Sequence, residues 1–189
     1  MVILKLVDNV KNNTFFLFLI LNSFLKINKY IDIKSAAGII NKLIYQTPTR
    51  GLLYVVDNDH NKARHRLQQL SCYLPGVLAL GASTLPDAEL SPKHKEIHRW
   101  AAHGLAYTCA ISFADQETGL GPEEIWMTTG GRRLMDVVDE WELKGRPGDV
   151  LPGMGEPQPE RNASIQDYHT PYPNEWLLRP EVKNFILSF

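Results

Sequence analysis

Two stretches of the chain place a proline directly before an acid: Pro122-Glu123-Glu124, and Pro180-Glu181 with Arg179 in front of it. Proline suits the first position of a helix, and a carboxylate in the first turn faces the positive end of the helix dipole. Both stretches are therefore expected at helix starts, where the ionised acid is favoured, and Arg179 strengthens that preference at Glu181. Such an acid suits a base or a cation ligand better than a proton donor. Ordinary helix capping accounts for the same spacing, so position alone does not make Glu181 a catalyst.

Other patterns carry weaker chemistry. His94 and His98 share a helical face. The string His-Lys-Glu-Ile-His lacks the glutamate placement of either zinc-protease motif, so a solvated face is expected rather than a metal site. Lys62, Arg64, His65 and Arg66 form a basic cluster that, on a chain of formal charge -1, reads as a surface loop and not as a nucleic-acid interface. Asn12-Asn13-Thr14 and Asn162-Ala163-Ser164 are sequons, informative only in a secreted protein. Cys72 and Cys109 are the two cysteines and allow one bridge.

The elements that must position these residues read as helices with Pro and Gly punctuation. Ser35 is expected to cap a short helix carrying Ile39, Ile40, Leu43 and Ile44 on one face, ended by Thr47-Pro48-Thr49-Arg50-Gly51. Leu52 to Val56 is a short strand or extended segment, followed by a turn at Asp57-Asn58-Asp59 and the basic loop Lys62 to Arg66. Pro75 opens a helix with Val77, Leu78 and Leu80, and a longer one starts near Ser91-Pro92. In the longer helix Ile97, Ala101, Leu105 and Thr108 form one stripe. Six prolines between Glu142 and Asn174 predict a long irregular connection.

A chain of 189 residues suits one domain, or one well-filled core plus tails. Twenty Lys and Arg against 21 Asp and Glu, with 22% charged and 44% apolar residues, give the balance of a globular protein. These figures disfavour a polybasic nucleic-acid binder, an acidic disordered chain, a multi-span membrane protein and a disulfide scaffold. Composition is uneven, however. Residues 1 to 34 lack Ala, Gly, Pro and Arg and carry five Lys against Asp8 and Asp32, so this piece is +3 and the remainder -4. Phe15 to Leu25 is too short to span a bilayer but long enough for a signal-peptide core, and no A-x-A-like cleavage site follows it. Translated non-coding sequence, a signal or anchor, and a real helix are the three alternatives for 1 to 34. The last eight residues return to the same Ile, Leu, Phe, Lys and Asn bias, and 182 to 189 are expected to be non-coding on the same ground.

Five blocks then occur in one order: GLLYV (Gly51 to Val55), SCYLPGVLALGA (Ser71 to Ala82), WAAHGLAYTC (Trp100 to Cys109), TGLGPEE (Thr118 to Glu124) and LLRPE (Leu177 to Glu181). The series resembles the later-middle part of class I α-1,2-mannosidases, glycoside hydrolase family 47. With Ala114-Asp115-Gln116 before TGLGPEE, it is most similar to fungal members. The resemblance covers residues 35 to 181, roughly a third of the family's catalytic domain, and defines the domain expected there.

The resemblance implies an all-α fold: an incomplete (α/α)7 barrel fragment with long irregular loops. It also implies removal of terminal α-1,2-linked mannose from N-glycans, with inversion and with bound calcium, in the endoplasmic reticulum or Golgi. The family's paired cysteines fall on Cys72 and Cys109, so a disulfide is expected. The family's R-P-E motif falls on Arg179, Pro180 and Glu181. Glu181 thereby becomes the general-base candidate and Arg179 a substrate contact. The acid of G-L-x-P-E falls on Glu123, a pocket carboxylate near sugar and metal. The direct calcium ligand, a Thr near the family's carboxyl-terminal end, has no counterpart here, so Glu123 and Glu181 would reach the ion through water.

This sequence departs from the family at several points. Gln69 stands where a histidine is usual, three residues before the first cysteine, which alters a pocket contact. Val182, Lys183, Asn184 and Phe185 replace the family's continuation after Glu181, including a second acid. The upstream general acid is also missing, and an inverting glycosidase needs two carboxyl groups flanking the bond. The expectation is a truncated α-mannosidase, inactive by itself. A noncatalytic binder of mannose-rich glycans and a small membrane-associated protein are the alternatives.

Overall fold

The structure, a computed structural model, describes residues 33–60, 62–128, 130–148, 151 and 167–171. The chain divides into two units, Met1–Ala37 and Gly38–Phe189. Of the first unit only 33–37 are described; the described residues 33–42 are helical and are called α1. Ser35 lies inside that helix and is not its cap. The helix also stops earlier than the apolar spacing predicts, because Ile44 leaves it for a strand.

That strand, β1 (Ile44–Gln46), pairs antiparallel with β2 (Leu53–Val55) in the register Ile44 to Val55. Thr47 to Gly51 therefore turns between two strands rather than ending a helix. The Thr47 N–H donates to the Leu52 carbonyl at 2.9 Å, and the Leu52 N–H donates to Thr47 Oγ1 at 2.9 Å. Gly51 supplies the left-handed φ of 67° that the turn requires.

Asp57-Asn58-Asp59, expected as a turn, is β3 (Asp57–Asp59), hairpinned to β4 (Lys62–Arg64). The basic stretch is thus strand and not loop: β4 is followed by β5 (Arg66–Gln68). Long side chains from both strands reach solvent, so their polarity gave no sign of the backbone pairing. A 3-10 turn, Gln69–Tyr73, leads into α2 (Leu74–Thr84), which has Pro75 in its first turn.

The next helix, α3 (Pro92–Ala114), starts as its sequence dictates: the Ser91 side chain accepts from the His94 N–H and Pro92 follows. Ile97, Ala101, Leu105 and Thr108 are all buried, as the stripe predicts. α2 packs along α3 in the largest interface between described elements.

After α3 come β6 (Glu124–Met127), β7 (Arg132–Arg133), α4 (Leu134–Leu143) and β8 (Tyr168–His169). β7 joins β1, giving the order β2-β1-β7, and β6 sits between β5 and β8. A core of Leu52, Tyr54, Val56, Leu67, Ile125, Met127 and Tyr168 packs on Tyr107 and Ile111 of α3. The described fold is therefore helices with three small antiparallel sheets, so the helical expectation holds in part and the strands are the departure from it. No described helix is long and apolar enough to cross a membrane.

Candidate functional site

Strand β5 pairs with β6 in the register Arg66 to Trp126, Leu67 to Ile125 and Gln68 to Glu124. Alternation sends Leu67, Ile125 and Met127 into the core, while Gln68 and Trp126 are exposed. Glu124, the second acid of the Pro-Glu-Glu stretch, therefore opens a strand. The helix-dipole argument for Glu123 is overturned, since an apolar and aromatic strand sequence pairs here with β5.

Glu123 stands one residue before β6, and its carbonyl accepts the backbone N–H of Gln69 at 2.8 Å. The side chain is half-buried, and Oε2 is withdrawn from solvent. Gln69 is 6% exposed, and among the described residues neither its amide oxygen nor its amide nitrogen has a hydrogen-bond partner. Leaving such groups unsatisfied costs about 1–3 kcal/mol. Gly121 helps hold this corner, since a Cβ there would meet the Phe113 ring at 2.5 Å.

Three residues past Gln69, Cys72 is bonded to Cys109 of α3, with Cα atoms 6.0 Å apart. The expected disulfide is present, and Phe113 packs against it. The bridge ties the stretch after Gln69 to the C-terminal part of α3.

A buried ion pair braces the end of α3. Arg50 Nη1 donates to Asp115 Oδ2 at 2.5 Å, and each side chain is 3% exposed. The Arg50 N–H donates to Asp167 Oδ2 at 2.7 Å, and the Tyr168 hydroxyl donates to Asp115 Oδ2 at 2.7 Å. Burial pushes the Tyr168 hydroxyl far up, aided by its bond to Asp115, so it stays protonated and donating. For Arg50, burial disfavours the charge, but the bond to Asp115 and its negative field outweigh that and raise the pKa. Breaking such a buried pair from one side costs about 3–5 kcal/mol.

Tyr54 is buried, and its hydroxyl accepts the Gly131 N–H at 3.1 Å. It is then free to donate to His65 Nδ1, 2.8 Å away, which assigns the His65 proton to Nε2. Burial pushes the Tyr54 hydroxyl up to about 12 and lowers the His65 pKa. Gly131 permits this approach because a Cβ there would collide with the Gln46 carbonyl.

Of the residues singled out by sequence, Glu123, Gln69, Cys72 and Cys109 come together around β5, β6 and α3. Arg179 and Glu181 lie outside the described residues. His98 is 4% exposed, which corrects the solvated-face expectation, and His94 instead bonds Ser91 Oγ at 2.7 Å. Among the described residues no group of three His, Cys, Asp or Glu could hold a metal. Sequence reasoning missed Asp115 with its partners Arg50, Asp167 and Tyr168, for which single residues far apart in the chain gave no signal. It also missed Trp126, whose alternation with Ile125 and Met127 was legible.

A bridged helix and strand framework that sets an acid beside a buried amide is one that can grip a polar ligand. The chain belongs to glycosyl hydrolase family 47, whose family model matches residues 22–186. It is 33% identical over 86 residues to mannosyl-oligosaccharide alpha-1,2-mannosidase IA of Drosophila melanogaster, covering 46% of this chain and 12% of that protein. It is 31% identical over 111 residues to a mannosyl-oligosaccharide 1,2-alpha-mannosidase of Arabidopsis thaliana, covering 58% and 18%. With the endoplasmic reticulum mannosyl-oligosaccharide 1,2-alpha-mannosidase of Mus musculus the identity is 33% over 91 residues, covering 48% and 13%. The chain thus spans less than a fifth of the length of these relatives.

Proposed function

We propose that the chain carries part of the sugar pocket of an α-1,2-mannosidase that acts on mannose-rich N-glycans in the secretory pathway. The observation that carries this is Gln69. A buried amide with neither group bonded among the described residues, beside the acid-bearing corner at Glu123, is what a sugar hydroxyl would satisfy. Family membership and the names of the relatives support mannose as the sugar. The disulfide agrees with an oxidising compartment.

Within this proposal Glu123 and Arg179 bind sugar and Glu181 is the base. Calcium is a hard cation that takes oxygen ligands, and Glu123 offers such oxygens. Glu123 and Glu181 would face it through water. One base without a second carboxyl group to protonate the leaving oxygen does not complete an inverting hydrolysis. The full chain by itself therefore binds and does not turn over.

The test is mannose release from α-1,2-mannobiose with calcium supplied, read beside thermal unfolding. The expected result is no release above a Glu181→Gln control, together with stabilisation by mannobiose and none by cellobiose. Release clearly above the control would overturn the inactive state, and stabilisation absent from both sugars would overturn the mannose pocket.

A further inference from the structure

The outer face of the β5-β6-β8 sheet carries features that the Glu123 corner does not use. Trp126 is 41% exposed on a strand whose alternate residues, Ile125 and Met127, are core. Its indole is nonetheless fixed. Nε1 donates to Glu124 Oε1, and the ring meets His169 of β8 edge-on, with centroids 6.0 Å apart and planes at 65°. The same Glu124 oxygen accepts from Arg66 Nη1 at 3.3 Å, and Arg66 Nε donates to Asp57. Beside this cluster an open groove of about 400 Å³ is lined by Arg64, His65, Arg66, Trp126 and Met127.

We infer that this groove is a second carbohydrate site, in which a neutral pyranose ring stacks on Trp126 and its hydroxyls bond the Arg66 and Glu124 side chains. Three observations select that ligand class. First, an indole with its N–H already satisfied offers only its apolar face, which suits the C–H face of a sugar. Second, charge is balanced: Arg66 bonds both Asp57 and Glu124, and Arg64 stands opposite Asp57 in the hairpin register. Two guanidiniums against two carboxylates leave little attraction for phosphate or a nucleic-acid backbone. Third, Arg66 donates and Glu124 accepts from one fixed pair, the arrangement that a hydroxyl, both donor and acceptor, bridges. The groove volume lies in the range of small-ligand sites. Only the sugar's identity as mannose rests on the proposed function; the stacking site does not.

The experiment follows the tryptophan indole N–H signals of the full chain by NMR during titration with α-1,2-linked mannotriose. Trp126 is assigned from the signal lost in Trp126→Phe. Cellotriose, inorganic phosphate and a ten-residue oligothymidylate serve as the other probes. The expected result is a saturable shift of the Trp126 signal by mannotriose. Trp126→Ala then weakens binding about tenfold, about 1.4 kcal/mol, while Trp126→Phe, which keeps a ring, stays within about threefold. Glu123→Gln leaves the Trp126 shift in place. If cellotriose moves Trp126 and mannotriose does not, the sugar site stands and only its assignment to mannose falls. If mannotriose binds with Trp126 unmoved, or Trp126→Ala binds as the unaltered chain does, the second site is overturned. Preferential response to phosphate or the oligonucleotide overturns the neutral-sugar class.

Discussion

His65 and His98 show what burial does to single groups in this molecule. Both have pKa values lowered mainly by burial, with the positive field of His94 adding to the effect at His98. A histidine whose folded pKa lies below its unfolded value of about 6.5 binds fewer protons in the native state than in the unfolded one. Its contribution to stability is therefore complete above the unfolded pKa and is lost as pH falls through the folded value. In NMR titrations both rings should show midpoints below 6.5, with the urea midpoint of unfolding falling as pH drops from 7 towards 5. Midpoints above the unfolded value for both would contradict the burial described. For His65 the neutral form also preserves the acceptor that Tyr54 uses, so protonation would break the Tyr54 to His65 bond.

The Cys72 to Cys109 bridge joins the turn before α2 to the C-terminal part of α3 across a separation of 37 residues. Closing that loop contributes on the order of 3–4 kcal/mol by the chain-entropy relation. Replacing both cysteines by alanine should lower stability by about that amount in urea unfolding, whereas a change under about 1 kcal/mol would show that packing of α2 on α3 suffices. The helices were legible in the sequence for stated reasons. Ser91-Pro92 is a cap and first-turn pair, and Ile97 to Thr108 is one stripe. α4 was equally legible: Leu134, Val137, Val138 and Trp141 recur at i, i+3, i+4 and i+7, and all are buried. The two- to four-residue strands were not. A run such as Lys62 to Gln68 is held by pairing with Asp57 to Asp59 and with β6, contacts that local composition does not encode. The same gap misplaced Glu123, because Pro-Glu-Glu reads as a helix start until its strand partner is known.

Considered whole, the molecule has one side of α2 and its preceding turn uncovered. Leu70, Tyr73, Val77 and Leu80 are 55%, 43%, 61% and 63% exposed, while Pro75, Leu78 and Ala82 on the other side are buried. The site itself was legible only in part. Family blocks marked Glu123 and the cysteines, but the neighbourhood of Gln69 and Glu123 depends on the backbone bond between the two residues, which folding creates.

Titration calorimetry of the full chain with α-1,2-mannobiose measures directly whether this corner binds α-1,2-linked mannose. A Glu123→Gln variant, shown to be folded by circular dichroism, is the comparison, because the change removes the carboxylate while keeping shape. Saturable binding is expected, weakening about tenfold or more in the variant, about 1.4 kcal/mol. Binding absent from the unaltered chain, or equal in both proteins, would contradict it.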